Sequence, residues 1–309
     1  MHITTGDDMV DLTALTTEQR NPLTLELDTF SPMQIARAMN LEDRNAVKAV
    51  EQVLPQVACA IELAAKSLSA GGRIIYLGAG TSGRLGVLDA VECPPTFGVE
   101  PDVVVGLIAG GRDAFVEAKE GAEDDSSQGE QDLRAIGINQ CDFVIGLTAS
   151  GRTPYVIGGI TYARALGCNT AAIACVPSSA VGSVAALAIE PITGPEVLTG
   201  STRLKAGTAQ KLILNMISTG AMTLTGKVYQ NLMVDVKQTN EKLHARARNI
   251  IMEACGCAAD TADRALGEAN GQVKLAVASI LLGTPVDDAR KALETARGHI
   301  REAINAQSA

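Results

Sequence analysis

The 309-residue chain has no tryptophan and only four phenylalanines and four tyrosines. Its core must therefore be built mainly from Ala, Leu, Ile and Val packed at close range. Aromatic stacking on bases or sugar rings is not expected to drive recognition. No apolar run approaches the length of about 18 residues that a membrane span requires. The N-terminus carries acids instead of the basic start of a signal peptide. These absences predict a cytoplasmic protein that does not enter a membrane.

Clustered positive charge is also missing. The formal net charge is -9, and no run or stripe of Lys and Arg reverses it locally. Such a balance repels nucleic acid and anionic lipid, so neither is an expected partner. The length exceeds that of a usual single domain, while 46% hydrophobic and 20% charged residues are ordinary for a well-buried protein. One large domain plus a small one is the natural expectation.

The seven cysteines do not form a metal or redox motif. They are scattered singly except for Cys255 and Cys257, and none falls in the CxxC pairs typical of zinc or redox sites. We interpret them as reduced packing residues and expect no metal and no cofactor. Cys93 could be a nucleophile, but no histidine lies nearby in sequence.

Short apolar runs alternate with helical periodicity through the first two thirds of the chain. This pattern predicts an α/β fold with a doubly wound, five-stranded parallel sheet covered on both faces. One long helix is expected from Ser31 to Leu68 and another over Asp113–Asp125. The predicted strands are Arg73–Gly80, Val103–Gly111, Asp142–Gly151, Asn169–Pro177 and Ala186–Ile192.

The character of the sequence changes after Asp235. Short amphipathic helices are predicted from Arg246 to Asn305, with breaks at ACGC, EANGQ and LGTPVDD. We therefore expect a small all-helical C-terminal domain. The predicted organisation is an N-terminal segment with the start of the long helix (1–50), a sheet domain (51–240) and the helical domain (241–309).

Two of the predicted strands end in glycine and hydroxyl residues followed by a helix start. Glycines let the backbone approach a ligand, while free N–H groups and the helix dipole attract an anion. Capped glycine turns are the alternative. The spacing fits neither a P-loop nor a Rossmann fingerprint, which disfavours nucleotides. The candidate phosphate ligands are Gly80, Thr81, Ser82, Gly83, Arg84, Ser150, Gly151, Arg152 and Thr153.

These turns resemble those of sugar isomerase (SIS) domains, and longer blocks resemble the N-acetylmuramic acid 6-phosphate etherase family. The resemblance spans most of the chain and implies a SIS-type fold with a ubiquitin-associated-like helical module. It also implies homodimers whose active sites draw on both subunits. The blocks are Thr17–Pro22, Tyr76–Gly98, Glu120–Asp125, Ala149–Gly158, Thr199–Met222 and Asn231–Val236.

The resemblance implies cleavage of the D-lactyl ether of a phosphosugar in peptidoglycan recycling. Elimination and hydration would give N-acetylglucosamine 6-phosphate and D-lactate. Two carboxyl groups could supply the acid and base. By resemblance, Glu92 protonates the departing lactate and Glu123 handles the C2 proton or the water. Glu92 is expected to end its helix before Pro94, and Glu123 to lie in the helix after the second strand. Further candidate substrate ligands are Ser201, Thr202 and Lys205, of which Lys205 could supply counter-charge to the phosphate or the lactate carboxylate.

Several alternatives stay open at this point. A sugar-phosphate isomerase would share the phosphate site but would not need Glu92, and a non-catalytic phosphosugar sensor would be expected to lack the glutamate pair. Each glutamate could instead be a solvated helix residue, since Glu123 stands in an acidic stretch. His244 could reach the site from a partner chain, or make a structural hydrogen bond. A DNA-binding regulator would need a basic helix-turn-helix, which the N-terminus lacks.

Overall fold

The computed structural model describes residues 16–117, 119–236 and 241–307, and a five-stranded sheet organises the larger part. The first 15 residues of the predicted N-terminal segment lie outside the described residues. All strand pairs in this sheet are parallel. The strands are β1 (Ile74–Gly78), β2 (Val104–Ile108), β3 (Phe143–Thr148), β4 (Asn169–Ala174) and β5 (Leu187–Ile189).

Within the described residues, seven α-helices accompany the sheet, and the doubly wound fold is confirmed. The strand order β2-β1-β3-β4-β5 reverses direction between β1 and β3. The helices are α1 (Pro32–Glu51), α2 (Leu54–Ser69), α3 (Gly80–Phe97), α4 (Ser126–Ala135), α5 (Pro154–Ala165), α6 (Ala180–Val184) and α7 (Lys205–Leu224).

Alternate residues of β1 enter two separate cores, as expected for a strand buried on both faces. Ile74 and Tyr76 belong to the core that also receives side chains of α1, α2 and α7. Ile75 and Leu77 belong to the core on the α5 face. The small side chains of the interior, many of them alanine, allow the helices to pack closely on the sheet without aromatic filling.

The predicted single helix from Ser31 to Leu68 is wrong, because the chain breaks at Gln52 and Val53. Pro55, in the first turn of α2, has no N–H to donate to a carbonyl four residues back, and it disfavours helical geometry in the preceding residue. A proline near a helix start is tolerated, so the second helix begins there. Ser31 starts the first helix with a reciprocal capping box.

The helix predicted over Asp113–Asp125 is also absent. A short 3-10 helix covers Arg112–Phe115, and the described residues from there to the start of α4 form turns and irregular backbone. The Asp125 side chain accepts hydrogen bonds from the N–H groups of Ser127 (2.9 Å) and Gln128 (3.3 Å), which sets the start of the helix one residue later. Glu123 therefore lies in a turn, not in a helix.

Helix α3 does not end at Glu92, as was predicted. Helix α3 continues through Pro94 and Pro95 to Phe97. The prolines cost hydrogen bonds only in the last turn. The helix closes at Gly98, which has the left-handed φ of 65° and donates its N–H to the carbonyl of Pro94.

The C-terminal region is helical, as predicted, and has its own core. Its helices are separated at the three predicted breaks and at a fourth, between Thr295 and Ile300, that was not predicted. A two-strand hairpin, β6 (Val228–Tyr229) and β7 (Leu232–Met233), precedes them. The division of the chain at residues 50 and 240 stays a prediction. The helices are α8 (Glu241–Cys255), α9 (Ala259–Glu268), α10 (Val273–Leu282), α11 (Val286–Thr295) and α12 (Ile300–Gln307).

Candidate active site

The two glycine and hydroxyl turns meet at the carboxyl edge of the sheet. They follow β1 and β3, which are hydrogen-bonded neighbours with Gly78 paired to Leu147. The order of the strands reverses between these two, and such a switch point opens a crevice beyond the strand ends. Sequence alone placed both turns after strands, and the sheet order now brings them side by side.

The first turn offers free backbone donors. Ala79 precedes α3 without a capping side chain, and the first intrahelical bond runs from the Gly83 N–H to the Ala79 carbonyl at 3.1 Å. Among the described residues, the N–H groups of Gly80, Thr81 and Ser82 have no acceptor. A Cβ on Gly83 would lie 2.6 Å from the Gly78 carbonyl oxygen, so only glycine fits there. The turn has the properties of an anion site.

The second turn gathers hydroxyl groups. The Thr148 hydroxyl lies 2.7 Å from that of Thr153 and 3.4 Å from that of Ser150. Gly151 has a φ of +74°, and a Cβ there would stand 2.5 Å from the Cβ of Ser179. Glycine is therefore required both by conformation and by space. Arg152 is half-buried beside it.

Glu123 and the first turn line one cavity of about 190 Å³. The carbonyl of Glu123 accepts the N–H of Tyr155 at the start of α5 (3.0 Å), which ties the acidic turn to the second glycine turn. The carboxylate side chain is exposed in the single chain. Arg84 also lines the cavity, where its Nε and Nη2 donate to the carbonyls of Phe115 (2.9 Å) and Ala114 (2.8 Å). Arg84 thus braces the 3-10 turn.

Lys119 is a cavity residue that the sequence reasoning missed. Its Nζ donates to the carbonyl of Gly110 at 2.8 Å and lies 3.8 Å from the carboxylate of Asp113. A lone lysine in an acidic stretch gives no signal of this placement. Contact with the cavity depends on the turn that replaced the predicted helix.

Glu92 is far from this cavity within one chain. It is exposed on α3, twelve residues after Gly80. A helical rise of about 1.5 Å per residue separates the two Cα atoms by about 18 Å along the axis. Its neighbours on that surface, Leu88 and Val91, are 46% and 56% exposed. The structure therefore does not bring Glu92 and Glu123 together in a single subunit.

The third group of predicted ligands lies around the start of α7. Ser201 and Thr202 are half-buried in the preceding turn. Glu196 accepts the N–H groups of Lys205 and Ala206, both at 3.0 Å, so a carboxylate of the chain itself occupies this helix N-terminus. That leaves the start of α3 and the hydroxyl-rich turn before α5 for an anion.

Lys205 itself points into the interior. Its side chain is 2% exposed, and its ammonium group pairs with the carboxylate of Glu42. Asn21 donates to the same carboxylate at 2.9 Å. Lys205 is therefore held away from solvent in this structure, in an ion pair that links α1 to α7. His244, by contrast, is exposed on α8.

A buried network supports the middle of α3 and was not foreseen. The carboxylate of Asp89 accepts hydrogen bonds from the Tyr76 hydroxyl (2.9 Å), Asn215 Nδ2 (2.6 Å) and the Ser218 hydroxyl (3.2 Å). Burial, together with this carboxylate, holds the pKa of Tyr76 well above its usual value. The network joins β1, α3 and α7 one turn before Glu92.

Cys93 lies on the buried side of α3. Burial, with a further contribution from Asp89, raises the pKa of the Cys93 thiol to about 12, and the thiol donates to the Asp89 carbonyl at 3.3 Å. A thiol held in its protonated form is a poor nucleophile, which disfavours the cysteine alternative. Within the described ranges, no cluster of three or more His, Cys, Asp or Glu side chains could hold a metal ion.

Comparison with known proteins gives the family. N-acetylmuramic acid 6-phosphate etherase of Brucella anthropi is 56% identical over 299 residues, which cover 97% of this chain and 97% of that protein. The protein of the same name from Pectobacterium atrosepticum is 57% identical over 96% of this chain and 97% of its own length. The chain belongs to the N-acetylmuramic acid 6-phosphate etherase family.

Two further comparisons bear on the sheet domain of this etherase-family chain. A family model described as the glucokinase regulatory protein N-terminal SIS domain matches residues 56–164. Phosphoheptose isomerase structures from Francisella tularensis and Neisseria gonorrhoeae align with TM-scores of 0.47 and 0.45, at 14% and 16% identity. They cover 63% and 62% of this chain and 100% and 98% of their own.

Membership of the etherase family favours the etherase function over the phosphosugar sensor that the sequence left open. The relatives that match at full length carry the etherase name, whereas the regulatory-protein model matches only the region from α2 to α5.

Among the residues with described structure, no helix is both long enough and apolar enough to cross a membrane.

Proposed function

We propose that this chain cleaves the lactyl ether of N-acetylmuramic acid 6-phosphate and releases N-acetylglucosamine 6-phosphate and D-lactate. One structural observation supports the proposal most directly. The two glycine and hydroxyl turns stand at neighbouring strand ends, and Glu123 lines the cavity beside the first. The phosphate would be held by N–H and hydroxyl groups of the two turns. Binding energy from this non-reacting group can orient the C2–C3 bond for reaction.

The chemistry needs acid and base groups at two carbon atoms. In the open-chain sugar, the C1 aldehyde acidifies the C2 proton, and the lactyl oxygen is attached to C3. A base removes the C2 proton, a C2–C3 double bond forms, and the C3–O bond breaks as an acid protonates the leaving lactate. Water then adds its oxygen to C3 while a proton returns to C2. The sum is one water consumed and one lactate released.

The two glutamates fit these roles as a pair. Glu123, beside the phosphate turn, is proposed to exchange the proton at C2 or to activate water, and Glu92 to protonate the departing lactate oxygen. Glu92 must carry its proton when the bond breaks. We propose a cytoplasmic site of action for this reaction.

The distance between Glu92 and the first glycine turn supports a shared active site. About 18 Å of helix separates Glu92 from the turn at Gly80, which is too far for one small substrate. Exposed Leu88 and Val91 flank Glu92 and provide apolar surface for a second copy of the chain. A twofold dimer would bring Glu92 of one subunit to the cavity of the other.

Mixing two inactive variants tests this arrangement. Glu92→Ala and Glu123→Ala subunits, unfolded and reassembled together, form heterodimers with one intact shared site. Random pairing should then restore about one quarter of wild-type activity. Each variant refolded alone is the control. If the mixture stays inactive although mass spectrometry shows heterodimers, both glutamates act within one subunit and the shared site is wrong.

Isotopes test the reaction itself. Purified protein is incubated with N-acetylmuramic acid 6-phosphate in deuterated water and, separately, in oxygen-18 water, and the products are analysed by mass spectrometry. Elimination and hydration predict deuterium at C2 and oxygen-18 at C3 of the amino sugar, with none in lactate. Oxygen-18 in the lactate hydroxyl would show cleavage on the other side of the ether and contradict the mechanism. If the sugar phosphate binds but no lactate appears, the chain is a phosphosugar sensor.

A further inference from the structure

A buried amide stands directly behind the first turn. Gln210, in the second turn of α7, is 1% exposed. Its Oε1 accepts a hydrogen bond from the Ser82 hydroxyl at 2.9 Å. Its Nε2 has no partner among the described residues. A buried amide donor without an acceptor is uncommon and unfavourable. The packing of Gln210 alone therefore does not account for a polar side chain at this position.

The packing of two helices sets the position of this amide. Gly207, in the first turn of α7, faces Thr81, since a Cβ on Gly207 would lie 3.6 Å from the Thr81 Cγ2. Gln210 lies one helical turn further on the same face and reaches Ser82. The residues of the anion turn are thus backed by α7, and the Ser82 hydroxyl lies between the turn and the amide.

The direction of one proton matters for anion binding. A serine hydroxyl has a single proton. In this structure Ser82 donates it to the Gln210 oxygen, so that it cannot donate to a phosphate. Rotation of the amide by half a turn exchanges its oxygen and nitrogen at nearly the same positions. The nitrogen then donates to Ser82, and the serine proton becomes available to the anion. The amide oxygen left over is a less costly orphan than the amide donor.

We propose that Gln210 is a positioning residue that directs the Ser82 proton toward the phosphate of the bound sugar. The inference rests on the proposed function, in which the turn at Gly80–Gly83 holds that phosphate. It adds a residue on α7 that touches no substrate atom and acts through Ser82. Binding of the phosphosugar and rotation of the amide are therefore coupled.

Gln210→Glu tests the coupling when binding is measured at a pH high enough to ionise the new carboxyl group, because burial favours its protonated form and only the carboxylate is restricted to accepting a hydrogen bond. In Gln210→Glu, Ser82 must keep donating inward, and one charge-assisted bond to the phosphate is lost. We expect phosphosugar binding to weaken about tenfold to 100-fold, the usual value of such a bond, with KM rising and kcat changing less. Gln210→Met accepts no such bond and should cost less. Gln131→Glu, which places the same charge on the exposed face of α4, is the control.

A double-mutant cycle separates the proton effect from simple repulsion. Binding of N-acetylglucosamine 6-phosphate is measured by calorimetry for wild type, Ser82→Ala, Gln210→Glu and the double variant. The loss caused by Gln210→Glu should be clearly smaller when Ser82→Ala is present. Melting curves of each variant show whether it is folded.

Two outcomes would overturn the proposal. The first is an equal loss of binding from Gln210→Glu with and without Ser82→Ala. The second is a fall in kcat with unchanged phosphosugar affinity. The failure of the proposed function would be distinct, since wild-type protein would then bind the sugar phosphate without releasing lactate. The binding cycle would still decide the role of Gln210.

Discussion

Replacing Lys205 with methionine removes a cation from the interior and leaves the Glu42 carboxylate buried without its charge partner. The Lys205 side chain is 2% exposed and that of Glu42 is 8% exposed. Breaking a buried pair from one side costs about 3–5 kcal/mol, because the remaining charge is uncompensated. That is a large fraction of the total of about 5–15 kcal/mol available to a folded protein.

Thermal unfolding gives the assay. At about 2–4 °C per kcal/mol for a domain of this size, the melting temperature of Lys205→Met should fall by about 6–20 °C. Lys211→Met, on the exposed side of the same helix, is the matched control and should shift it little. The double variant Lys205→Met with Glu42→Gln should recover part of the loss, since no unpaired charge remains.

The same variants examine the substrate-binding role that the sequence predicts for Lys205. If Lys205→Met melts with wild type and Lys211→Met yet no longer binds N-acetylglucosamine 6-phosphate, the burial reasoning is wrong. Lys205 would then leave Glu42 and reach the substrate. A fall in melting temperature with phosphosugar affinity retained at low temperature would instead show a structural lysine.

Three further predictions follow from particular contacts. Gly151→Ala should raise KM for the phosphosugar and destabilise the chain by about 1–3 kcal/mol, because the backbone there is left-handed and the added Cβ would overlap the loop after β4. The control is Gly137→Ala, at a φ of +60° in open space, which should lower stability less and leave KM unchanged. Burial alone would raise the pKa of Asp142. Hydrogen bonds from the Arg73 side chain and from backbone N–H groups outweigh the effect of burial and lower that pKa. A depressed folded-state pKa contributes stability that is complete above the unfolded value of about 4 and is lost as the pH falls through the folded value. Urea midpoints between pH 6 and pH 3 should therefore fall more steeply for wild type than for Asp142→Asn, and parallel slopes would contradict the assignment. A thiol reagent at pH 8 should label exposed Cys59 in the native protein and spare Cys93, whose pKa burial raises to about 12; peptide mass spectrometry would show early Cys93 labelling if the packing reasoning fails.

Much of the fold was predictable because its signals are local. A strand buried on both faces shows as a short apolar run, and the glycines that end it must sit where the chain turns. The five strands were predicted this way. So were three of the four breaks between the C-terminal helices.

The errors arose where a local pattern competed with the backbone. The apolar spacing of α1 and α2 reads as one helix, but Pro55 cannot continue the hydrogen-bond ladder. The stretch before α4 has helical composition, yet the cap at Asp125 starts the helix later and leaves Glu123 in a turn. Where these helices break or begin depends on a few hydrogen bonds, and the spacing of apolar residues does not reveal those bonds.

The sequence by itself determined the elements of this protein, the glycine and hydroxyl turns, and the motifs of its family. Only the tertiary structure decided which side chains meet. Strand order placed the two turns side by side, and the pairing of Lys205 with Glu42 spans 163 residues of chain. The position of Gln210 behind Ser82 is likewise a property of the packing of α3 against α7. Contacts between distant segments follow from the packing of the whole chain, which no local pattern encodes.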